Sequence, residues 1–319
     1  MFELIFLGTS ASTPSVHRGL SAHLLIHRQY RFLIDCGEGT QRQILQSGLG
    51  FKNLTRILIT HSHLDHILGL GGLISTLGRW ETLEKVEIFA GRAALERIAD
   101  LLFRVVWRDA RPPMQIEFIA LQPGLTLVED DKFVVTTFPV SHRGPDCFGF
   151  IFQEKARRPF LAEKADALGV PFGPERGRLV QGQTITLTDG RVIRPEQVLG
   201  HTIPGLKYVH IGDAGRTDNL LTPCHQANTL TIEATYTSDE ADLAREFGHL
   251  TATKAAQLAH QASVQNLLLT HISRRHTGRD IRDEATPIFP NTHVARDFDH
   301  FQMTQQGLSR LPNRENMGE

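Results

Sequence analysis

Cysteine is scarce. The 319 residues hold 3, Cys36, Cys147 and Cys224, far apart and with no C-x-x-C. An odd number of scattered thiols excludes a disulfide framework and a thiolate zinc site, and fits reduced thiols in a cytoplasmic protein. Net charge is nearly missing too: 34 Lys+Arg against 35 Asp+Glu leave −1, so no global basic field can draw in a polyanion. Contact with nucleic acid would have to come from local basic patches. No apolar run approaches the ~20 residues of a membrane span, so no membrane partner is expected. The opening Met1-Phe2-Glu3-Leu4-Ile5-Phe6-Leu7-Gly8 has no basic start and an early acid, and reads as a first strand, not a signal peptide. There is no repeat with a period of roughly 20–50 residues, which excludes solenoids and propellers.

What is there is ordinary globular material, 40% hydrophobic and 22% charged, enough for a sizeable core. Short apolar runs alternate with helical patterns. Strands are predicted at Glu3–Leu7, His23–Ile26, Arg31–Ile34, Arg56–Thr60, Val86–Phe89, Lys132–Val140, Cys147–Gln153, Lys207–Gly212, Thr229–Glu233 and Asn266–Thr270. Helices are predicted at Gly39–Gln46, His66–Thr76, Arg92–Phe103, Ala241–Glu246 and Thr253–Ala262. The interleaving indicates a layered α/β fold. Lys155 to Ile203 breaks the rhythm: it is rich in Gly, Pro and charge, and Val170-Pro171-Phe172-Gly173-Pro174 cannot continue a helix or a central strand. We read about 155–203 as an insertion, a stiff and extended projection from the main body; a long surface loop is the plainer alternative. The tail after about Ser309 is polar and expected to fray.

Histidine is the residue in surplus, with 16. His61-Ser62-His63-Leu64-Asp65-His66 follows the predicted strand Arg56–Thr60 and packs four potential metal ligands into six residues. In extended chain, residues two apart project to one side, so His61 and His63 can reach a single cation. Asp65 and His66 follow as the chain turns into a helix and would face a second. Two cations need more ligands, and three later strands each end in one: Val140-Ser141-His142, Ile211-Gly212-Asp213 and Thr270-His271. Strand ends along one edge of a sheet share a crevice, where the sites of open α/β sheets lie.

Counting ligands assigns His61, His63 and His142 to the first cation and Asp65, His66 and His271 to the second, with Asp213 bridging through its two oxygens. Histidine and carboxylate without thiolate suit zinc, and also manganese or iron. Such a pair, roughly 3.5–4 Å apart, can ionise a water and clamp the oxygens of a phosphodiester, with Asp65 placed to accept the water's proton. A lone strand-end histidine is more often a capping or surface residue than a ligand; the joint placement after separate strands favours the ligand reading. His210, inside its strand, and the remaining histidines have no such context and are read as surface or structural.

These residues resemble the metallo-β-lactamase superfamily, whose fold is a four-layer αβ/βα sandwich, and within it the short bacterial ribonuclease Z family, over nearly the whole chain. Asp35-Cys36-Gly37-Glu38-Gly39-Thr40-Gln41 is similar to a family segment, as are Pro139-Val140-Ser141-His142, Gly212-Asp213 and Thr270-His271-Ile272-Ser273-Arg274-Arg275. Leu168–Pro174, continuing to Leu187–Val192, resembles the flexible arm with which the family grips tRNA, which implies RNA contacts at Gly173, Pro174, Arg176 and Arg178. The resemblance implies a single catalytic domain over 1–319 with the arm inserted, two zinc ions, precursor tRNA as substrate and a homodimer. The reaction it implies is endonucleolytic removal of the 3′ trailer, leaving a 3′-hydroxyl on the tRNA and a 5′-phosphate on the trailer.

Two loops of the family return with changes. Glu233-Ala234-Thr235 resembles its His-Glu-Ala-Thr loop with Ile232 where the His stands, and His249-Leu250-Thr251 resembles its His-Ser-Thr loop. Glu233 and His249 are thereby implied in protonating the leaving ribose oxygen. Pro14-Ser15-Val16-His17-Arg18-Gly19 occupies the place of a P-x-K-x-R-N loop, keeping only Pro14 and Arg18. Two rival readings are a hydrolase of small esters, lactones or aryl sulfates on the same cations, and a catalytically decayed RNA-binding protein. The first predicts an insertion without RNA contacts; the second is disfavoured by seven intact ligand candidates.

Overall fold

The structure, a computed structural model, describes residues 1–80, 83–108 and 110–312. Its strands are β1 (Phe2–Gly8), β2 (Ala22–His27), β3 (Tyr30–Ile34), β4 (Arg56–Leu58), β5 (Lys85–Ala90), β6 (Gln115–Ala120), β7 (Thr126–Glu129), β8 (Phe133–Pro139), β9 (Phe148–Glu154), β10 (Ile185–Thr186), β11 (Val192–Ile193), β12 (Lys207–His210), β13 (Thr229–Glu233), β14 (Leu267–Thr270), β15 (Thr292–Val294), β16 (His300–Thr304) and β17 (Gly307–Leu311). They form two large sheets, ordered β17-β16-β1-β2-β3-β4-β5-β6 and β15-β14-β13-β12-β9-β8-β7, and a separate β10-β11 hairpin. The first sheet is antiparallel from β17 to β3 and parallel from β3 to β6; β12 to β15 are parallel in the second.

Period-two alternation sets the layers. In the second sheet Val209, Leu230, Ile232, Leu267 and Leu269 face one way, into a core shared with helices Ala252–Gln261 and Gly278–Ala285. In the first, Ile5, Leu7, Leu24, Leu33, Ile57 and Ile88 face helices Thr40–Gln46 and Gly69–Arg79. The opposite faces meet through aromatic and histidine side chains: Phe32 packs edge-on to Phe152 at 5.3 Å, and His23 lies 4.9 Å from His210. The result is helices, sheet, sheet, helices, the four-layer arrangement expected. His23, His27 and His210 are buried structural residues in it. Among the described residues no helix is long and apolar enough to cross a membrane.

The ten predicted strands all fall on observed ones. β6, β7, β10, β11, β15, β16 and β17 escaped notice because they are short or carry weak alternation. The tail departs from expectation: Ser309 to Leu311 lie in β17, paired with β16, because a sheet edge supplies partners that a polar sequence does not advertise. Residues 313–319 lie outside the described ones.

Contacts divide the chain into two compact units, the second comprising Glu129–Val134 and Gln153–Gly205. Within it, helices Ala162–Ala167, Pro174–Val180 and Pro195–Val198 and the β10-β11 hairpin enclose Ala165, Val170, Leu179, Ile185, Ile193 and Val198. The extended projection expected from its prolines is therefore corrected to a compact unit with its own core. Each element is too short to give a periodic signal, and Pro174 and Pro195 start helices, at a position where proline's missing N–H costs nothing.

Candidate metal centre

The seven ligand candidates sit at the C-terminal end of a strand or just beyond it, whereas His249 lies between the helices Ala241–Phe247 and Ala252–Gln261. Parallel strands direct these ends to one edge, and turns there carry the side chains. His61 and His63 follow β4; Asp65 and His66 lie on the short helix Leu64–Ile67. His142 follows β8, Asp213 follows β12 and His271 follows β14. Asp35 and His271 adopt left-handed backbone, at φ 59° and 56°, which turns each chain sharply at the strand end. Non-glycine residues adopt that conformation at a cost that recurs at functional sites. Gly212 permits the approach that delivers Asp213, since a Cβ there would stand 2.8 Å from Thr60 Oγ1.

The seven side chains gather in two groups. His61, His63, His142 and Asp213 form one group and Asp65, His66 and His271 another, with ligand-type atoms within 4.8 Å of one another in each. The two oxygens of Asp213 face different partners. Oδ2 lies 3.6 Å from both His61 Nε2 and His142 Nε2, while Oδ1 lies 3.4 Å from His66 Nε2 and 3.3 Å from His271 Nε2. Asp65 Oδ2 lies 3.4 Å from His271 Nε2. A third grouping, Asp213, His249 and His271, overlaps the second. None of the three includes a cysteine.

These groups fit divalent cations on a property of their own. His61 Nε2, His66 Nε2 and Asp213 Oδ1 are buried and make no hydrogen bond. Buried polar atoms without partners are costly, and three converging on one space call for an electrophile there. The opposite ring nitrogens are held. Asp35 Oδ2 lies 2.8 Å from His66 Nδ1, and Asp35 also accepts from the Thr60 N–H and hydroxyl. Thr60 Oγ1 is 3.0 Å from His61 Nδ1, Thr235 Oγ1 is 3.0 Å from His271 Nδ1, and the Gly248 carbonyl is 2.7 Å from His142 Nδ1. Outer partners of this kind fix the tautomer and aim of a ligand imidazole.

Sequence reasoning missed Asp35, Thr60 and Thr235 in that role. Asp35 stood in a quoted motif, but nothing in a sequence says which ring nitrogen it will meet.

Electrostatics agrees with the geometry. Burial, helped by neighbouring His66, pushes His61 well below its ordinary value, and burial with His142 brings His63 down to about 4, so both are the neutral ligand form. Burial opposes the charged form of His66, yet Asp213, Asp35 and Asp65 outweigh it and hold that ring well above its usual range. Burial also opposes ionisation of Asp65, but His66 and His271 overcome it and keep the carboxyl low. The carboxylates thus demand positive charge at this spot.

Glu233 and His249 are brought to the same place, in unequal roles. Glu233 is fully buried. Its Oε1 accepts from Ala214 N–H and lies 3.0 Å from His249 Nδ1, and its Oε2 accepts from Leu250 N–H and the Thr235 hydroxyl. Burial works against a charged His249, but the Glu233 carboxylate reverses this and pushes it up to about 9. Ile232 points the other way along β13, into the helix-side core. An apolar side chain suits that environment, so this position does not reach the site.

The loop after β1 also touches the centre. Ser12 N–H donates to Asp65 Oδ2 at 2.8 Å. Arg18 braces that loop internally, donating to Thr9 Oγ1 and the Ala295 carbonyl. Of the basic pair past His271, Arg275 is ion-paired with Glu240, and Arg274 is exposed.

In the second unit, Gly173 at φ 142° precedes the helix that Pro174 opens. Arg176 is consumed locally: it binds Asp166 and the Val170 and Pro171 carbonyls and lies 5.2 Å over the Phe172 ring. Arg178 is exposed.

Comparison with known proteins places this geometry. A family described as "Anti-Pycsar protein Apyc1" matches residues 2–154, the stretch up to the end of β9. The chain is 47% identical over 300 residues to "Ribonuclease Z" of Bradyrhizobium diazoefficiens, covering 94% of this chain and 99% of that protein. It is 38% identical to "Ribonuclease Z" of Gemmatimonas aurantiaca, covering 92% and 93%. Among solved structures, human tRNase Z, short form, superposes with a TM-score of 0.66 at 25% identity, over 95% of this chain and 99% of that one. The metallo-β-lactamase fold protein YhfI from Bacillus subtilis gives 0.67 at 18% identity, over 94% and 98%, a likeness of fold alone.

Proposed function

The chain belongs to the ribonuclease Z family, and we propose that it cuts precursor tRNA at its 3′ side, leaving a 3′-hydroxyl on the tRNA and a 5′-phosphate on the trailer. The observation that carries the reading is the division of Asp213, one oxygen toward each histidine group. We assign two divalent cations, zinc by the chemistry of the donors. His61, His63, His142 and Asp213 Oδ2 would hold one, and Asp65, His66, His271 and Asp213 Oδ1 the other. When bound, the pair supplies an ionised water and neutralises charge on the phosphodiester oxygens.

The chain's own groups do the rest. Asp65 Oδ2 is engaged by Ser12 N–H, so we assign Oδ1 to accept the proton of the attacking water. His249, its Nδ1 fixed by Glu233, presents Nε2 to protonate the departing ribose oxygen. Glu233 is a positioning residue, since both its oxygens are occupied. We further assign the homodimer and the cytoplasm to this protein on family grounds. The test of function is direct. Metal-reconstituted protein is incubated with precursor tRNA and the released ends are mapped. One cut leaving a trailer 5′-phosphate is expected; hydrolysis of a small diester with the precursor left intact would favour the small-ester reading.

Two further outcomes follow. Asp35→Asn should weaken zinc binding about 10–100-fold in a chelator competition, through loss of the anion at His66 Nδ1. Replacing residues 155–203 by a short linker should raise the KM for precursor tRNA on the order of tenfold or more, by removing phosphate contacts at Gly173, Pro174 and Arg178. Hydrolysis of bis(p-nitrophenyl) phosphate should persist. Equal losses on both substrates would contradict the RNA role of that unit.

A further inference from the structure

A cavity of about 590 Å³ adjoins the centre on the His142 side. Its volume lies in the range of ordinary ligand pockets. Arg143, Arg216 and Arg245 line it, against one acid, Asp146. They come from three separate elements, the loops after β8 and after β12 and the last turn of the helix Ala241–Phe247, so no sequence run advertises them. The loops are tied together: Gly215 N–H donates to the Ser141 carbonyl at 2.7 Å, and the Gly248 carbonyl holds His142. Gly248, at φ 70°, also admits Arg143, whose Cγ would stand 2.8 Å from a Cβ there.

The guanidiniums are available. Arg216 is 67% exposed and pairs at 3.4 Å with an equally exposed Asp218; Arg245 is 75% exposed and pairs at 3.3 Å with Asp242, itself 95% exposed. Such surface pairs hold their partners by little and yield readily to a better anion. Arg143 lies 5.8 Å over the Phe247 ring. Three arginines gathered beside one histidine group, in a chain whose net charge is near zero, are a local feature and not a consequence of overall composition.

We propose that this groove binds the phosphate next to the scissile one, so that Arg143, Arg216 and Arg245 clamp the sugar-phosphate backbone of the RNA strand as it leaves the centre. The inference rests on the ribonuclease reading and adds to it the residues that hold the strand. Guanidinium forks match phosphate oxygens bidentately, and such contacts position a strand without reading its sequence. That phosphate can belong to the trailer or to the tRNA acceptor end.

The test is the double variant Arg216→Gln with Arg245→Gln, and the corresponding double lysine variant. Each is assayed on precursors with a one-nucleotide or an extended trailer, and on bis(p-nitrophenyl) phosphate. The glutamine variant should raise the precursor KM several-fold and flatten the slope of log kcat/KM against log salt by about 0.7–0.9 per lost contact. Turnover of the small diester should stay at the wild-type level, and lysine should restore most of the loss. A rise confined to the extended trailer places the trailer in the groove, and a rise independent of trailer length places the acceptor end there; either supports the clamp. Wild-type KM and salt slope in the glutamine variant would overturn it, as would an equal loss on the small diester. If the wild-type protein itself fails to cleave precursor tRNA, the ribonuclease reading falls, and the clamp with it.

Discussion

Asp213→Asn is expected to bind fewer divalent cations per chain than the unaltered protein and to lose turnover on every phosphodiester by on the order of 10³-fold or more. The size of the effect follows from position. Among the described residues Asp213 is the one carboxylate that both histidine groups face, at 3.3–3.6 Å through separate oxygens. Asparagine keeps the volume and one oxygen but removes the negative charge, so one group loses its shared anion outright. Because the substitution is nearly isosteric and Gly212 still grants the close approach, the fold should persist, as circular dichroism can check. Metal content by plasma mass spectrometry and kcat on precursor tRNA and bis(p-nitrophenyl) phosphate should fall together. Full metal content with near-normal turnover would remove Asp213 from the centre.

The second large effect separates the two substrates. His249→Ala should lower kcat on precursor tRNA by about 10²–10⁴-fold, the usual contribution of a positioned general acid. Hydrolysis of bis(p-nitrophenyl) phosphate should fall far less, because p-nitrophenolate departs as a stable anion and needs no proton. Glu233→Gln should move in the same direction by a smaller factor, since His249 keeps a hydrogen-bonding neighbour 3.0 Å away but loses the charge that holds its proton. With Glu233 present, His249 stays protonated through neutral pH and gives up its proton as pH rises toward about 9. The variant's activity should therefore decline at lower pH on the alkaline side. Matching losses on both substrates would mean that His249 supports the metal centre and donates no proton to the leaving group.

How far a sequence reaches is visible in particular residues. His61, His63, Asp65 and His66 were legible because four potential ligands packed into six residues after an apolar run seldom serve any purpose but metal binding. His142, Asp213 and His271 were legible because each ends a strongly apolar strand, and parallel strands bring such ends to one edge. Asp35, Thr60 and Thr235 were not, because an outer hydrogen bond to a ring nitrogen depends on a contact between distant turns. Ile232 looked like a missing proton-relay histidine until strand alternation placed it in the helix-side core. In the insertion, short helices and a two-residue-stranded hairpin erased the periodic signal, and a unit with its own core read as an extended projection. Arg176 stood among the expected RNA contacts through the family resemblance, whereas its engagement with Asp166 and two carbonyls is not readable in a sequence.

Anomalous diffraction at the zinc absorption edge from crystals of the reconstituted protein tests the centre most directly. The account predicts two peaks roughly 3.5–4 Å apart, one on each side of the Asp213 carboxylate, the first reached by His61, His63 and His142 and the second by Asp65, His66 and His271. No peak there, or one bound by other side chains, would contradict it.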